Sequence, residues 1–293
     1  MRWKGREQSK NVEDRRGITP AMAVGGGGIL MMLIVGLAFL FDPRLGQQLL
    51  QQQQQQQAQA QKQVPAGQAR KPGEPDNEGD FIKVVLRDTE TVWTRLFKEG
   101  VQGGTYQPPQ LVMFSGSVQS RCGMATADVG PFYCPGDQKV YIDPTFFTEL
   151  EKRHKAGGEF ARAYVIAHEV AHHVQKLIGF SDKVDAVRAR GNQVETNRAS
   201  VRLELQADYL AGVWAHHAHK EYNILEPGDI ESGINAANRI GDDTLMKEAT
   251  GRAIPERFTH GTSEQRMRWF TKGLKSGDLE GCTQLFEVPY EDL

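Results

Sequence analysis

The chain has 293 residues, with 35 Lys and Arg against 37 Asp and Glu, 39% hydrophobic residues and three cysteines. A formal net charge of −2 gives no global positive field, so no nucleic-acid partner is expected. Three cysteines provide neither a disulfide-dense scaffold nor a four-cysteine zinc site.

The chain opens on a basic segment, residues 1–20, carrying Arg2, Lys4, Arg6, Lys10, Arg15 and Arg16. Residues 21–41 follow as a run of 21 without a charge. About 20 apolar residues span a bilayer core, so the run reads as one transmembrane helix. No small-x-small cleavage site follows Phe41, which makes it an uncleaved signal anchor. The basic excess before it predicts a cytoplasmic N-terminus and a periplasmic or extracellular remainder. Residues 42–80 contain the run Gln51–Gln57 and then a Pro/Gly/charge stretch, a composition that cannot bury enough apolar surface to order itself. They read as a flexible linker.

Residues 81–293 have the composition of one globular domain. Phe81, Val85, Val92 and Leu96 mark a first helix that ends at Gly100. Residues 110–118 and 138–142 read as strands, with a further strand and turn at 132–137. Helices are expected at about 144–154, 159–178, 182–190, 194–221, 228–240 and 262–275. A small sheet followed by helices gives an α+β fold. In an oxidising compartment Cys122 and Cys134 are expected to form a disulfide, leaving Cys282 over.

The segment AYVIAHEVAHHVQKL contains an HExxH: His168, Glu169 and His172. Histidines at i and i+4 lie on one helical face, close enough to bind one metal ion. Glu169 beside them can reach a metal-bound water as general base. His173 points about 100° away around the helix and is not expected to be a ligand. A catalytic zinc site needs a third protein ligand. In RLELQADYLAG, Glu204 and Asp208 share one face of an apolar-leaning helix, which is costly unless something compensates them. A metal would compensate Glu204, and Asp208 could accept the free N–H of a ligand imidazole. The alternatives are a solvated, ion-paired face, or a ligand drawn from His216, His217 and His219.

HEVAHHVQ followed by ELQADYLAG resembles the bacterial "putative neutral zinc metallopeptidase" family, membrane-anchored proteins with one N-terminal span. More distantly it resembles membrane zinc proteases that combine HExxH with a downstream ExxxD. The likeness extends over nearly the whole chain, from KGREQSKNVEDRRG to FTHGTSEQRMRWF. It implies a zincin-like fold binding Zn2+ through His168, His172 and Glu204, with Asp208 behind them. It also makes His260 a candidate to stabilise an oxyanion, against the plainer role of a loop histidine bonded to backbone. Thr262 and Gln265 fit a capping box after it, and Arg266 is either a salt-bridge partner or a support for the ligands.

The expected protein is a membrane-anchored zinc metallopeptidase that hydrolyses an unidentified protein or peptide substrate. An extended peptide could add to a sheet edge at residues 111–118 or 138–142. Two other classes fit less well: a non-catalytic, zinc-stabilised binding module, which would have no use for Glu169, and a zinc amidase acting on a cell-envelope component.

Overall fold

A computed structural model of the chain describes residues 1–17, 75–100, 104–152, 155–239, 241–250 and 252–293. The expected span at 21–41 and most of the expected linker lie outside these residues. Among the described residues no helix is long and apolar enough to cross a membrane.

The main sheet has four strands in the order β1 (Val12–Asp14), β2 (Gln110–Met113), β6 (Lys139–Ile142) and β5 (Phe132–Cys134). β1 pairs parallel to β2, with Val12 opposite Leu111, and β2 pairs parallel to β6, with Leu111 opposite Val140. β5 closes the sheet antiparallel to β6, with Tyr133 opposite Val140. The two central strands are apolar on both faces because both faces are covered. Leu111, Met113, Val140 and Ile142 join the main core, while Val112 and Tyr141 face a smaller cluster with Val118 and Ala125.

That smaller cluster lies under a separate hairpin, β3 (Ser117–Ser120) and β4 (Gly123–Thr126). The single strand expected over 110–118 is therefore two strands in two sheets. Gly116 divides them at φ +78°, a left-handed conformation that glycine adopts without a Cβ clash, and Asp143 accepts its N–H at 2.7 Å. Cys122 is disulfide-bonded to Cys134, which staples the hairpin to β5, as expected. Cys282 is free and buried, and burial pushes its thiol up to about 12.

Helices make up most of the remainder and form an α+β fold. α1 (Asn77–Gly100) begins four residues ahead of Phe81 because Asp76 accepts the N–H of Gly79 at 3.0 Å and caps the start. Then come α2 (Thr145–Lys152), α3 (Glu159–Leu177), α4 (Phe180–Arg188), α5 (Gln193–Tyr222), α6 (Asp229–Arg239) and α8 (Ser263–Ser276), each close to its expected span. α7 (Asp242–Thr250) and the short α9 (Glu280–Gln284) were not legible in the sequence pattern.

One boundary differs from the sequence expectation. Residues 1–17 are not a separate basic segment; they are built into the domain. Besides the β1 pairing, the Trp3 indole donates to Glu159 at 2.7 Å, and Arg6 makes a two-pronged ion pair with Asp88 at 2.8 and 2.6 Å. Ser9 donates to Glu90 at 2.5 Å, and Arg16 reaches Asp76 at 2.5 Å. Asp88 and Glu90 lie on the buried side of α1, where an unpaired carboxylate would be costly.

Candidate metal centre

α3 lies in the core because Ala163, Ile166, Ala167, Val170 and Ala171 make it apolar around the stripe that holds His168 and His172. His168 and His172 leave that stripe one turn apart, with ring centroids 4.8 Å from each other. α5 packs against α3 and supplies Glu204. One Glu204 oxygen lies 3.1 Å from His168 Nε2 and the other 3.5 Å from His172 Nε2. Ligand atoms from the three residues all lie within 4.8 Å of one another. Two imidazoles and one carboxylate are the donor set of an open, catalytic type of zinc site, so the residues fit that ion.

The far nitrogen of each imidazole is already committed. His168 Nδ1 is 2.9 Å from Asp208 Oδ1, and Asp208 is fully buried. The same carboxylate accepts the Tyr164 hydroxyl at 2.5 Å and the Arg266 guanidinium at 2.8 and 3.0 Å. On the other side, His172 Nδ1 is 2.9 Å from Gln175 Oε1. The Gln175 amide is oriented by its own donation to the Leu203 carbonyl at 2.5 Å. Both Nδ1 atoms therefore act as donors, and both Nε2 atoms turn toward Glu204 as potential ligands.

Two of these supports were missed from sequence. Gln175 stands three residues after His172 and Tyr164 four before His168, so helical spacing on α3 could have found both. Arg266, which the sequence left between two roles, is the charge partner of Asp208. Its helix, α8, starts at the expected capping box, where Gln265 N donates to Thr262 Oγ1 at 3.1 Å. α8 comes close to α5 where Gly212 meets the Phe270 carbonyl and Gly273 meets the Tyr209 carbonyl, with no room for a Cβ at either.

Electrostatics agree with the geometry. Burial alone would raise the Asp208 pKa, but Arg266 and then His168 hold it down at about 2. Glu204 is also held well below the usual carboxylate range, against burial, by the two imidazoles. Burial would lower the His168 pKa, yet Asp208 and Glu204 outweigh it and raise it to about 10. In the metal-free site that ring thus carries two protons at neutral pH, one facing Asp208 and one facing Glu204. Glu169 is buried, which raises its pKa against the pull of the two neighbouring imidazoles.

The remaining histidines separate cleanly. His173 is buried and bonded elsewhere: Nε2 donates to the Gln107 carbonyl at 2.6 Å and Nδ1 lies 3.0 Å from the Tyr133 hydroxyl. His216 and His217 bind the carbonyls of Leu274 and Gly277, and His219 accepts the Leu225 N–H; among the described residues this rival cluster is gathered by no carboxylate. His260 is exposed, with Nδ1 3.1 Å from Asp242. That hydrogen bond raises its pKa, and the Glu204 charge is the next contributor, which puts the ring within electrostatic reach of the metal centre.

A family model described as "Putative neutral zinc metallopeptidase" matches residues 1–285. The chain is 43% identical over 296 residues to the uncharacterized protein YpfJ of Escherichia coli (strain K12), an alignment covering 96% of this chain and 98% of the relative. It is also 43% identical over 187 residues to the uncharacterized protein Rv2575 of Mycobacterium tuberculosis (strain ATCC 25618 / H37Rv), covering 60% of this chain and 62% of that protein. No solved structure matches the chain.

Proposed function

The chain belongs to the putative neutral zinc metallopeptidase family, and on that premise we propose that it is a zinc-dependent peptidase held at a membrane. The observation that carries the reading is the convergence of His168 Nε2 and His172 Nε2 on the Glu204 carboxylate, with Glu169 buried on the same helix. A structural zinc site would need a fourth protein ligand and would have no use for a general base.

Zn2+ held by His168, His172 and Glu204 would supply the Lewis acidity that acidifies a water and polarises a carbonyl. Glu169 accepts the proton of the attacking water and passes it to the leaving amine. Burial raises its pKa above the ordinary carboxylate value, which favours proton uptake from the water. Asp208, Tyr164, Arg266 and Gln175 hold the two imidazoles. His260, whose pKa is raised by its hydrogen bond to Asp242, is the donor proposed for the oxyanion.

An extended substrate is proposed to pair with β5 rather than with the strands suggested by sequence. β2 and β6 are both internal, whereas β5 is an outer strand and packs against α3. Residues 21–41 are the proposed membrane attachment. The Cys122–Cys134 disulfide supports placing the domain in an oxidising compartment. A zincin-like fold remains part of this proposal.

The test is the Glu169→Gln variant beside wild type, with bound zinc and cleavage of a peptide library both measured. Wild type should carry about one zinc and cut peptides; the variant should keep the zinc and lose cleavage by at least about a hundredfold. Cleavage surviving in the variant would remove Glu169 from its role. A zinc-loaded wild type that cuts no peptide would refute the peptidase reading.

A further inference from the structure

We infer that residues 1–17 and residues 75–293 lie in the same compartment, so that the chain joining them crosses any membrane an even number of times. This refines the proposed membrane attachment and replaces the cytoplasmic-N-terminus topology that the sequence suggests.

The argument starts from backbone. β1 is a strand of the main sheet: Leu111 N donates to the Asn11 carbonyl at 2.8 Å and Arg15 N to the Met113 carbonyl at 2.7 Å. β2, its partner, packs into the same core as the catalytic helix α3. A single crossing by residues 21–41 would put about 30 Å of hydrocarbon between β1 and β2. The sheet could not then form as it stands. Side chains add to this. Asp88 is 3% exposed and Glu90 4% exposed; Arg6 pairs with the first, and Ser9 and Asn11 donate to the second. Removing residues 1–17 would take these partners from two buried carboxylates.

The junctions of the intervening chain meet as well. Arg16 binds Asp76 at 3.2 and 2.5 Å, so the described residues on either side of 18–74 meet at one place.

The topology signal itself has a second explanation. The rule that places basic flanks in the cytoplasm applies to charges free to stay there. Here Arg2 pairs with Glu226, Arg6 with Asp88, Arg15 with Glu13, and Arg16 with Asp14 and Asp76. Three of the six basic residues that would set the orientation, Arg2, Arg6 and Arg16, are the chemistry by which the segment docks.

The experiment uses the full chain in the membranes of the cell that makes it. Lys10 and Lys275 are both exposed, one on each side of the intervening chain. Lys10→Cys and Lys275→Cys variants are treated with a membrane-impermeant maleimide before and after lysis. The wild-type chain is the blank, because Cys282 is buried and the other two cysteines are joined. Both sites should react at the same stage, before lysis if the disulfide has placed the domain correctly. Reaction of both only after lysis would keep the shared compartment and move it to the reducing side. Reaction at opposite stages would overturn the inference. Fractionation of the same samples reads attachment separately: a wholly soluble chain would remove the membrane reading while leaving the docking to be judged. Docking is judged by thermal unfolding of Arg6→Ala, Asp88→Ala and the double variant. Each single variant should melt lower than wild type, and the double no lower than the worse single. Fully additive shifts would overturn the docking on which the inference rests.

Discussion

Two groups of histidines sit on neighbouring helices and do opposite things. His168 and His172 on α3, and His216, His217 and His219 at the end of α5, both have the short spacing that a metal site needs. In the first pair Nδ1 of each ring is taken by a side-chain acceptor and Nε2 faces a shared carboxylate. In the second group, each ring is tied to main-chain atoms of the α8–α5 junction or the turn after α5, and among the described residues no carboxylate gathers them. Histidine spacing is therefore necessary for a site and far from sufficient. What separates the two groups is the acid at the focus and the acceptors behind the rings.

The sharpest way to break this comparison is to remove the focus. Glu204→Ala should abolish stoichiometric zinc, measured by elemental analysis of the purified full chain, because two imidazoles alone make a weak site. Zinc retained near one equivalent would move the third ligand elsewhere and return the α5 histidines to contention.

The acceptors behind the rings come next. Asp208→Ala should weaken zinc binding about 100-fold and Gln175→Ala about tenfold, by competition with a chromophoric chelator. Asp208 also anchors Tyr164 and Arg266, whereas Gln175 holds one imidazole, so the order matters as much as the size. Equal effects would mean that the ionised partner of His168 does nothing the neutral partner of His172 does not.

Solution pH tests the same asymmetry. The folded pKa of His168 is raised from 6.5 to about 10 by Asp208 and Glu204 against burial. In the metal-free protein its contribution to stability is thus full below about 6.5 and is lost as pH rises through about 10. A metal must displace the proton that faces Glu204. Apparent zinc affinity should therefore rise about tenfold between pH 7 and pH 8, as one released proton requires. An affinity flat over that interval would show that His168 carries no such proton.

The smallest effect on zinc belongs to the second group. His217→Ala should leave zinc content unchanged while costing about 1 kcal/mol of stability through the lost bond to the Gly277 carbonyl. Loss of zinc from this variant, in a protein that still folds, would contradict the division drawn between the two groups.

The ligand side of the centre was legible because it is local or nearly so. HExxH is written in one turn of one helix, and Glu204 with Asp208 in one turn of another; both helices are marked by their apolar faces. Helices α3, α5 and α8 came out close to their observed bounds for the same reason, and the capping box at Thr262 fixed the start of the last. Gln175 went unnoticed though its spacing was available, since an amide is not itself a metal ligand. Residues 110–118 looked like one strand because the apolar run is continuous, and only the left-handed turn at Gly116 splits it.

What the sequence determined alone is the chemistry available: two imidazoles, a carboxylate next to the first and a downstream carboxylate pair, all at helical spacings. Those spacings are properties of a helix and survive whatever the helix packs against. Tertiary structure decided the rest. It placed Glu204, and not the α5 histidines, beside His168 and His172, seated Arg266 on Asp208, made β5 rather than β2 or β6 the outer strand beside α3, and drew Val12–Asp14 into the sheet. Each of these joins residues distant in the chain, through an ion pair between buried groups or a strand pairing. Such contacts form only when the core has brought both partners together, and no local pattern of residues records them.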